Sequence, residues 1–303
     1  MPLLTRRRFI TISAVAPLMT GLPARATSLY RWRGIALGAQ AEIWLDHSDA
    51  EAITVRAAAE ITRLEAVFSL YRPDSAVTRL NAQGHLADPP FELLECLALA
   101  GRVHAATGGL FDPSVQPLWA LYASRFAAGL VVSSADLAGA LDHVGWTGVR
   151  FDEALIQLRP GMALTLNGVA QGFIADRIAE LLEAEGLTNV LVNTGEYRAL
   201  GSMPDGTAWP VTLTSGGQVP LLGRALASSS ALGTTFDQAG QVGHILNPVT
   251  GLPSTPRWRL VSISAPTAGV ADALSTAACL MTDRADVLAT FSAFPDARIE
   301  TLV

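Results

Sequence analysis

The sequence predicts an α+β fold, and two observations predict it. Segments with strand character come in hairpins, and segments with helical periodicity come in runs. No regular alternation of strand and helix runs along the chain, so a Rossmann-type parallel sheet is not indicated.

The elements follow in order. Tyr30 to Asp46 reads as two strands joined near Leu37-Gly38. Ala50 to Phe68 places Ile53, Ala57, Ile61, Leu64 and Phe68 on one helical face. Phe91 to Ala106 is a second helix, ended by Gly108-Gly109. Asp112 before Pro113 is an N-cap with proline at the first helical position, which starts a third helix over Ser114 to Ala127. Val149 to Phe151 and Leu155 to Leu158 form a hairpin. Gln171 to Glu185 is a helix stopped by Gly186. Val190 to Asn193, Ala199 to Gly201, Val211 to Thr214 and Arg259 to Ala265 read as strands, and Val270 to Met281 as the last helix. Repeats, low-complexity tracts and an evident linker are absent from the sequence.

The first residues have a different character. Thr5-Arg6-Arg7-Arg8-Phe9-Ile10 reads as a twin-arginine export signal, the apolar run Phe9 to Met19 follows, and Pro23-Ala24-Arg25-Ala26 offers a small-residue cleavage site. Residues 1–26 are therefore expected to be a signal peptide and residues 27–303 the mature protein, delivered to the periplasm. The apolar run is too short to span a bilayer, and no later segment is long and apolar enough.

Composition then excludes several function classes. Hydrophobic content of 50% with 16% charged residues fits a well-buried core. Loss of Arg6, Arg7, Arg8 and Arg25 with the signal carries the formal charge from −6 to −10, which argues against a nucleic-acid partner. All 21 basic residues are arginine. Schiff-base chemistry, a P-loop lysine and a lysine base are thereby ruled out. Cys96 and Cys279 sit in apolar helical patterns and read as buried small hydrophobes, with a disulfide left open. Without a CxxC or a Cys/His cluster, zinc and iron–sulfur sites are not expected.

Asp272 and Thr276 are four residues apart at the start of a helix and share one face. A carboxylate and a hydroxyl there suit a hard cation, and free helix-start amides would attract phosphate. A helix-start Asp beside a Thr is more often a cap than a metal ligand. His244 lies in Gly243-His244-Ile245-Leu246-Asn247-Pro248, where a tight turn would leave it exposed enough to exchange protons. A surface or packing role is the alternative. The remaining histidines, His104 among them, have no constellation in sequence. Leu164-Thr165-Leu166-Asn167-Gly168-Val169-Ala170-Gln171-Gly172 joins a strand to a helix through glycines that permit close backbone approach.

Singly these signals are weak; their order is specific. The chain resembles the ApbE family of FAD:protein FMN transferases in six motifs: Phe68 to Ser75 with Leu80-Asn81, Thr107 to Pro113, Asn167 to Asp176, Asn193 to Glu196, His244 to Gly251 and Ala271 to Thr276. The resemblance implies one α+β domain with a sheet core and flanking helices, and transfer of FMN from FAD to a Ser or Thr hydroxyl of a partner protein. It implies Asp272, Thr276 and the Gly168 carbonyl as Mg²⁺ ligands, and His244 as the catalytic histidine. Leu37, Tyr71, Leu110, Phe111, Asp112 and Ile245 would line FAD. The acceptor would be a periplasm-facing electron-transfer protein.

The chain departs from the family pattern where Thr165 replaces an aspartate and Gln171 a lysine; both fall at FAD-binding positions. A usual Gly-Gly-Asp is Thr194-Gly195-Glu196, and a doubled histidine is Gly243-His244. These changes are similar to a divergent subgroup such as the NosX-type accessory proteins of nitrous oxide respiration. They leave two further readings open: an FAD-binding maturation or carrier protein without turnover, and an FAD pyrophosphatase in which water replaces the acceptor hydroxyl.

Overall fold

The computed structural model describes residues 29–255 and 257–303; the export signal expected over residues 1–26 lies outside them. Chain order is β1 (Tyr30–Ala36), β2 (Ala39–Leu45), α1 (Ala50–Phe68), α2 (Ala76–Gln83), β3 (His85–Ala87), α3 (Phe91–Ala106), a 3-10 turn (Pro113–Val115), α4 (Gln116–Ala127), α5 (Ser134–Leu141), β4 (Val149–Phe151) and β5 (Leu155–Leu158). Then come α6 (Ala170–Ala184), β6 (Val190–Asn193), β7 (Tyr197–Leu200), β8 (Trp209–Thr212), β9 (Gln218–Leu221), β10 (Ala225–Ser229), β11 (Val261–Ala265), α7 (Ala268–Ala278), α8 (Arg284–Thr290) and β12 (Arg298–Leu302).

Seven strands form the main sheet in the order β1-β2-β6-β7-β10-β11-β12, each neighbouring pair antiparallel. The period of two along its central strands sorts their side chains between two cores. Val190, Val192, Ala225 and Ala227 face the main core with the buried stripes of α1, α3, α6 and α7. Leu191 and Leu226 point the other way, into a smaller core closed by Trp209, Val211, Val219 and Leu221 of the β8–β9 hairpin. Sheet positions buried on both faces explain why β6 reads as a continuous apolar run.

Two joints position the site. The β1–β2 turn holds Leu37 at φ 48 and Gly38 at φ 84, the left-handed pair of a two-residue hairpin. A bulky residue is unusual there, and the amide of Leu37 is held by Glu65 Oε1 at 2.7 Å. At the second joint α6 crosses α7. A Cβ on Gly172 would overlap the Ala268 carbonyl, so only glycine lets these helices touch.

The expected elements are present, with shifted ends and additions. The helix expected from Ser114 begins as a 3-10 turn, with Asp112 capping as predicted. The strand expected at Val211 to Thr214 is β8, paired with a β9 that Gly216 and Gly217 separate from it. Both cysteines are buried and unpaired, and burial pushes the Cys279 thiol up to about 12. Among the described residues no helix is long and apolar enough to cross a membrane.

Candidate active site

The α6–α7 joint builds the centre of the site. Because Gly172 brings α6 against α7, its amide reaches Asp272 Oδ2 at 3.1 Å. Asp272 is 3% exposed, and its Oδ1 makes no hydrogen bond among the described residues. One turn further along α7, Thr276 lies against Gly168: a Cβ there would stand 3.1 Å from Thr276 Oγ1 and 3.3 Å from Phe111 Cε2. The bare backbone of Gly168 therefore leaves room between a hydroxyl and an aromatic ring. Ser229 Oγ, at the end of β10, lies 3.4 Å from Thr276 Oγ1 and 2.7 Å from Ser275 Oγ.

Burial governs the charges. Desolvation raises the Asp272 carboxyl to about 7, against the lowering effect of the Gly172 amide, and the Asp176 charge adds to the rise. Glu196, 6% exposed, is driven upward by desolvation and by Asp272, although Ser228 N donates to its Oε2 at 3.0 Å. Asp176 is raised to about 6, first by desolvation. Asp272 and Glu196 thus each face the other's charge with a single backbone amide for compensation.

Asp176 also corrects one expectation. The first amides of α7 are not free for phosphate: Ala268 N and Gly269 N donate to Asp176 Oδ1 and Oδ2 at 2.7 and 2.9 Å. A side-chain carboxylate from α6 already occupies that helix start, and Arg198 Nε faces it at 3.4 Å.

His244 is partly buried rather than exposed on its turn. Its amide and its Nδ1 both meet the carbonyl of Thr234, at 3.1 and 2.9 Å. A carbonyl only accepts, so Nδ1 carries the proton and Nε2 keeps a lone pair. Burial lowers the imidazole pKa below its ordinary value, more than that hydrogen bond raises it. The neutral ring is thereby favoured at neutral pH. The following segment is tied to the end of α7: Ser254 N donates to the Ile245 carbonyl at 2.8 Å, and Ser254 Oγ donates to the Cys279 carbonyl.

The other expected positions divide. Phe111 lies against Gly168, and Ile245 is buried in the main core. Leu110 lines a cavity of about 350 Å³ with Thr107, Met281 and Thr290. Leu37 sits at its strained turn, and Tyr71 is exposed just beyond α1. The Asp112 carboxylate is consumed internally: Oδ1 accepts Ser114 N and Oγ at 2.8 and 2.6 Å, and Oδ2 accepts Trp146 N at 3.1 Å. His104 has a constellation that sequence did not reveal, with Nδ1 2.9 Å from the Phe111 carbonyl and its ring 6.0 Å from that of Trp146.

The departures from the family pattern have local causes. Gln171 lies where a Cβ on Gly195 would be, 2.6 Å from its Nε2, and Thr194 Oγ1 donates to the Gln171 carbonyl at 2.7 Å. Gln171, Thr194 and Gly195 thus pack as one unit. Thr165 is pinned by its amide to the Pro113 carbonyl at 2.8 Å. At position 243 a Cβ would overlap the Ala231 carbonyl oxygen, so a second histidine has no room. Asp176, Glu196, Ser229 and Thr234 escaped sequence reasoning as site residues. The available signals were the places of Asp176 and Glu196 at the ends of two motifs and the strand-end serine run Ser228-Ser229-Ser230.

The fold is α+β, and its α6–α7 joint gathers oxygen groups from Asp272, Thr276 and Ser229 beside the bare backbone of Gly168. A model of the ApbE family matches residues 37–295. The FAD:protein FMN transferase of Treponema pallidum (strain Nichols) is 32% identical over 241 residues, 70% of this chain and 67% of that protein. One from Klebsiella pneumoniae (strain 342) is 26% identical over 267 residues, 81% and 74% of the two chains. Among solved structures, the ApbE protein of Thermotoga maritima superposes with a TM-score of 0.80 at 26% identity, covering 89% of this chain and 93% of that one. The apo flavinyl transferase ApbE of Pseudomonas stutzeri gives 0.76 at 26% identity, covering 87% of each chain. The chain belongs to the ApbE family.

Proposed function

We propose that this protein transfers FMN from FAD to a Ser or Thr hydroxyl of a partner protein in the periplasm, releasing AMP with Mg²⁺ bound at the α6–α7 joint. The observation that carries the reading is the convergence of Asp272, Thr276 and the backbone of Gly168 beside Phe111.

The donor set fits the ion. Among the described residues no group of three or more His, Cys, Asp or Glu side chains could hold a metal. Mg²⁺ does not need one: it is commonly held by one or two carboxylates, with substrate phosphate and water completing its shell. The Oδ1 of Asp272, the Thr276 hydroxyl and the Gly168 carbonyl would hold it. Bound there, it would offset negative charge on the pyrophosphate as AMP departs.

His244 Nε2 takes the proton of the acceptor hydroxyl. The oxygen attacks the FMN phosphorus, the bond to the bridging oxygen breaks, and AMP leaves with that electron pair. The product is a phosphoester-linked flavin on the partner. The Thr234 carbonyl holds the proton on Nδ1 throughout, so the ring presents the correct nitrogen. With no lysine in the chain, backbone amides and arginine supply any further cationic help. A twin-arginine signal would place the enzyme where an exported electron-transfer protein would be its acceptor.

Incubation of the purified protein with FAD, Mg²⁺ and an acceptor domain bearing a single flavinylation threonine tests the reading. Flavin that stays on the acceptor after denaturation is expected. Free FMN with AMP would mark a pyrophosphatase instead, and unchanged FAD would mark a carrier.

A further inference from the structure

His244 owes its orientation to a hairpin with its own anchor. Residues 234–236 run against 242–244: His244 N donates to the Thr234 carbonyl at 3.1 Å, Thr235 bridges Gly243, and Phe236 N donates to the Val242 carbonyl at 2.9 Å. The loop closing this hairpin is fixed by Asp237, whose Oδ1 accepts the amides of Gln241 and Val242 at 2.9 and 2.8 Å. The hairpin's register is therefore set locally. Its place in the molecule is set elsewhere.

Phe236 projects from the hairpin onto α4. Its ring lies edge-on to Trp119 at 5.4 Å and is stacked with Tyr122 at 5.4 Å and Phe126 at 6.3 Å. These residues form a third hydrophobic cluster, separate from the main core, that takes in α4, α5 and the His244 segment. Phe236 is the ring through which the hairpin enters that cluster's aromatic stack. Two residues before it stands Thr234, whose carbonyl holds both the His244 amide and Nδ1.

We propose that Phe236 is a positioning residue for His244, mooring to α4 the hairpin whose Thr234 carbonyl selects the imidazole tautomer and aims Nε2. The small α4–α5 core thereby serves catalysis although none of its aromatic side chains takes part in the chemistry. The inference rests on the reading of His244 as proton acceptor. Aromatic contacts of this kind are worth enough to fix one arrangement, and a displacement of about 1 Å at a reacting group costs about 10²-fold in rate.

The test uses the intact mature protein labelled with ¹⁵N-histidine, with His244→Gln identifying the His244 signals among the five histidines. Wild type is expected to show one His244 tautomer, protonated at Nδ1. Phe236→Ala is expected to show a tautomer mixture and FMN transfer slowed about 10²-fold at saturating FAD, with FAD affinity unchanged. Phe236→Tyr, which keeps the ring, is expected to restore both. A folded Phe236→Ala protein with a single tautomer and wild-type transfer overturns the proposal. Should Phe236→Ala fail to fold, Phe236→Leu carries the same expectations in milder form, and a wild-type result there overturns it equally. Wild-type transfer by His244→Gln would defeat the proton-acceptor reading by itself, while the tautomer spectra of the Phe236 variants would still decide the mooring.

Discussion

At the scale of single residues, the site depends on what burial does to charge. Asp272 has a folded pKa of about 7, far above its value of about 3.9 in an unfolded chain. The protonated carboxyl is the form the fold favours. Its contribution is thus fully present below about pH 4 and lost as pH rises through 7. Asp272→Asn keeps an acceptor for the Gly172 amide and removes the titration. The metal-free wild type should therefore lose melting temperature relative to Asp272→Asn between about pH 5 and about pH 8, and Mg²⁺ should restore it in wild type alone. A difference between the two proteins that is constant with pH would contradict this. His244 runs the other way: burial depresses its pKa, so the imidazole stays neutral further into acid. The acid limb of the kcat profile should accordingly lie below about 6.5, the ordinary histidine value. Stopped-flow transfer measured across that range checks it.

At the scale of elements, two glycines carry the geometry. Gly172→Ala should force α6 from α7, costing about 1–3 kcal/mol as overpacking does. It should also weaken Mg²⁺-dependent activity, because the amide that holds Asp272 would move. Gly243→His, which recreates the family's histidine pair, should likewise destabilise the fold, since its Cβ meets the Ala231 carbonyl. Thermal melts of both variants decide, and an unchanged melting temperature in either would show that the backbone there yields. The same elements show what sequence could and could not say. Long amphipathic helices such as α1 were legible from period alone, and so was the Asp112 cap, because both are set by residues close in sequence. Short β9 and β12 were not: each is held by the strand it pairs with rather than by its own pattern. Asp176 at the start of α7 was hidden for a related reason, as 92 residues separate it from the amide that it accepts.

At the scale of the whole molecule, the main sheet brings together β10, α6 and α7, which are far apart in the chain, so that one joint collects the donors. At that joint Gly168 lies between Thr276 and Phe111, and Asp272 sits one turn before Thr276 with the Gly172 amide on its carboxylate. The partners the motifs did not reveal, Ser228 for Glu196 and Thr234 for His244, act through backbone groups that carry no sequence signature. We propose that residues 1–26 direct export of the molecule as a unit. Arg6→Lys with Arg7→Lys should hold the precursor in the cytoplasm, and cell fractionation reads the result; normal periplasmic accumulation would refute the export assignment.

The central claim is a division of labour: the α6–α7 joint holds the pyrophosphate, and His244 moves the proton. Paired titrations of His244→Ala and Asp272→Ala test it most directly, with FAD affinity read by flavin fluorescence and FMN transfer read in a single turnover. His244→Ala should bind FAD as wild type does and transfer about 10²–10⁴-fold more slowly, whereas Asp272→Ala should lose affinity and rate together. Wild-type transfer by a folded His244→Ala protein, or undiminished FAD binding by Asp272→Ala in Mg²⁺, would contradict the account.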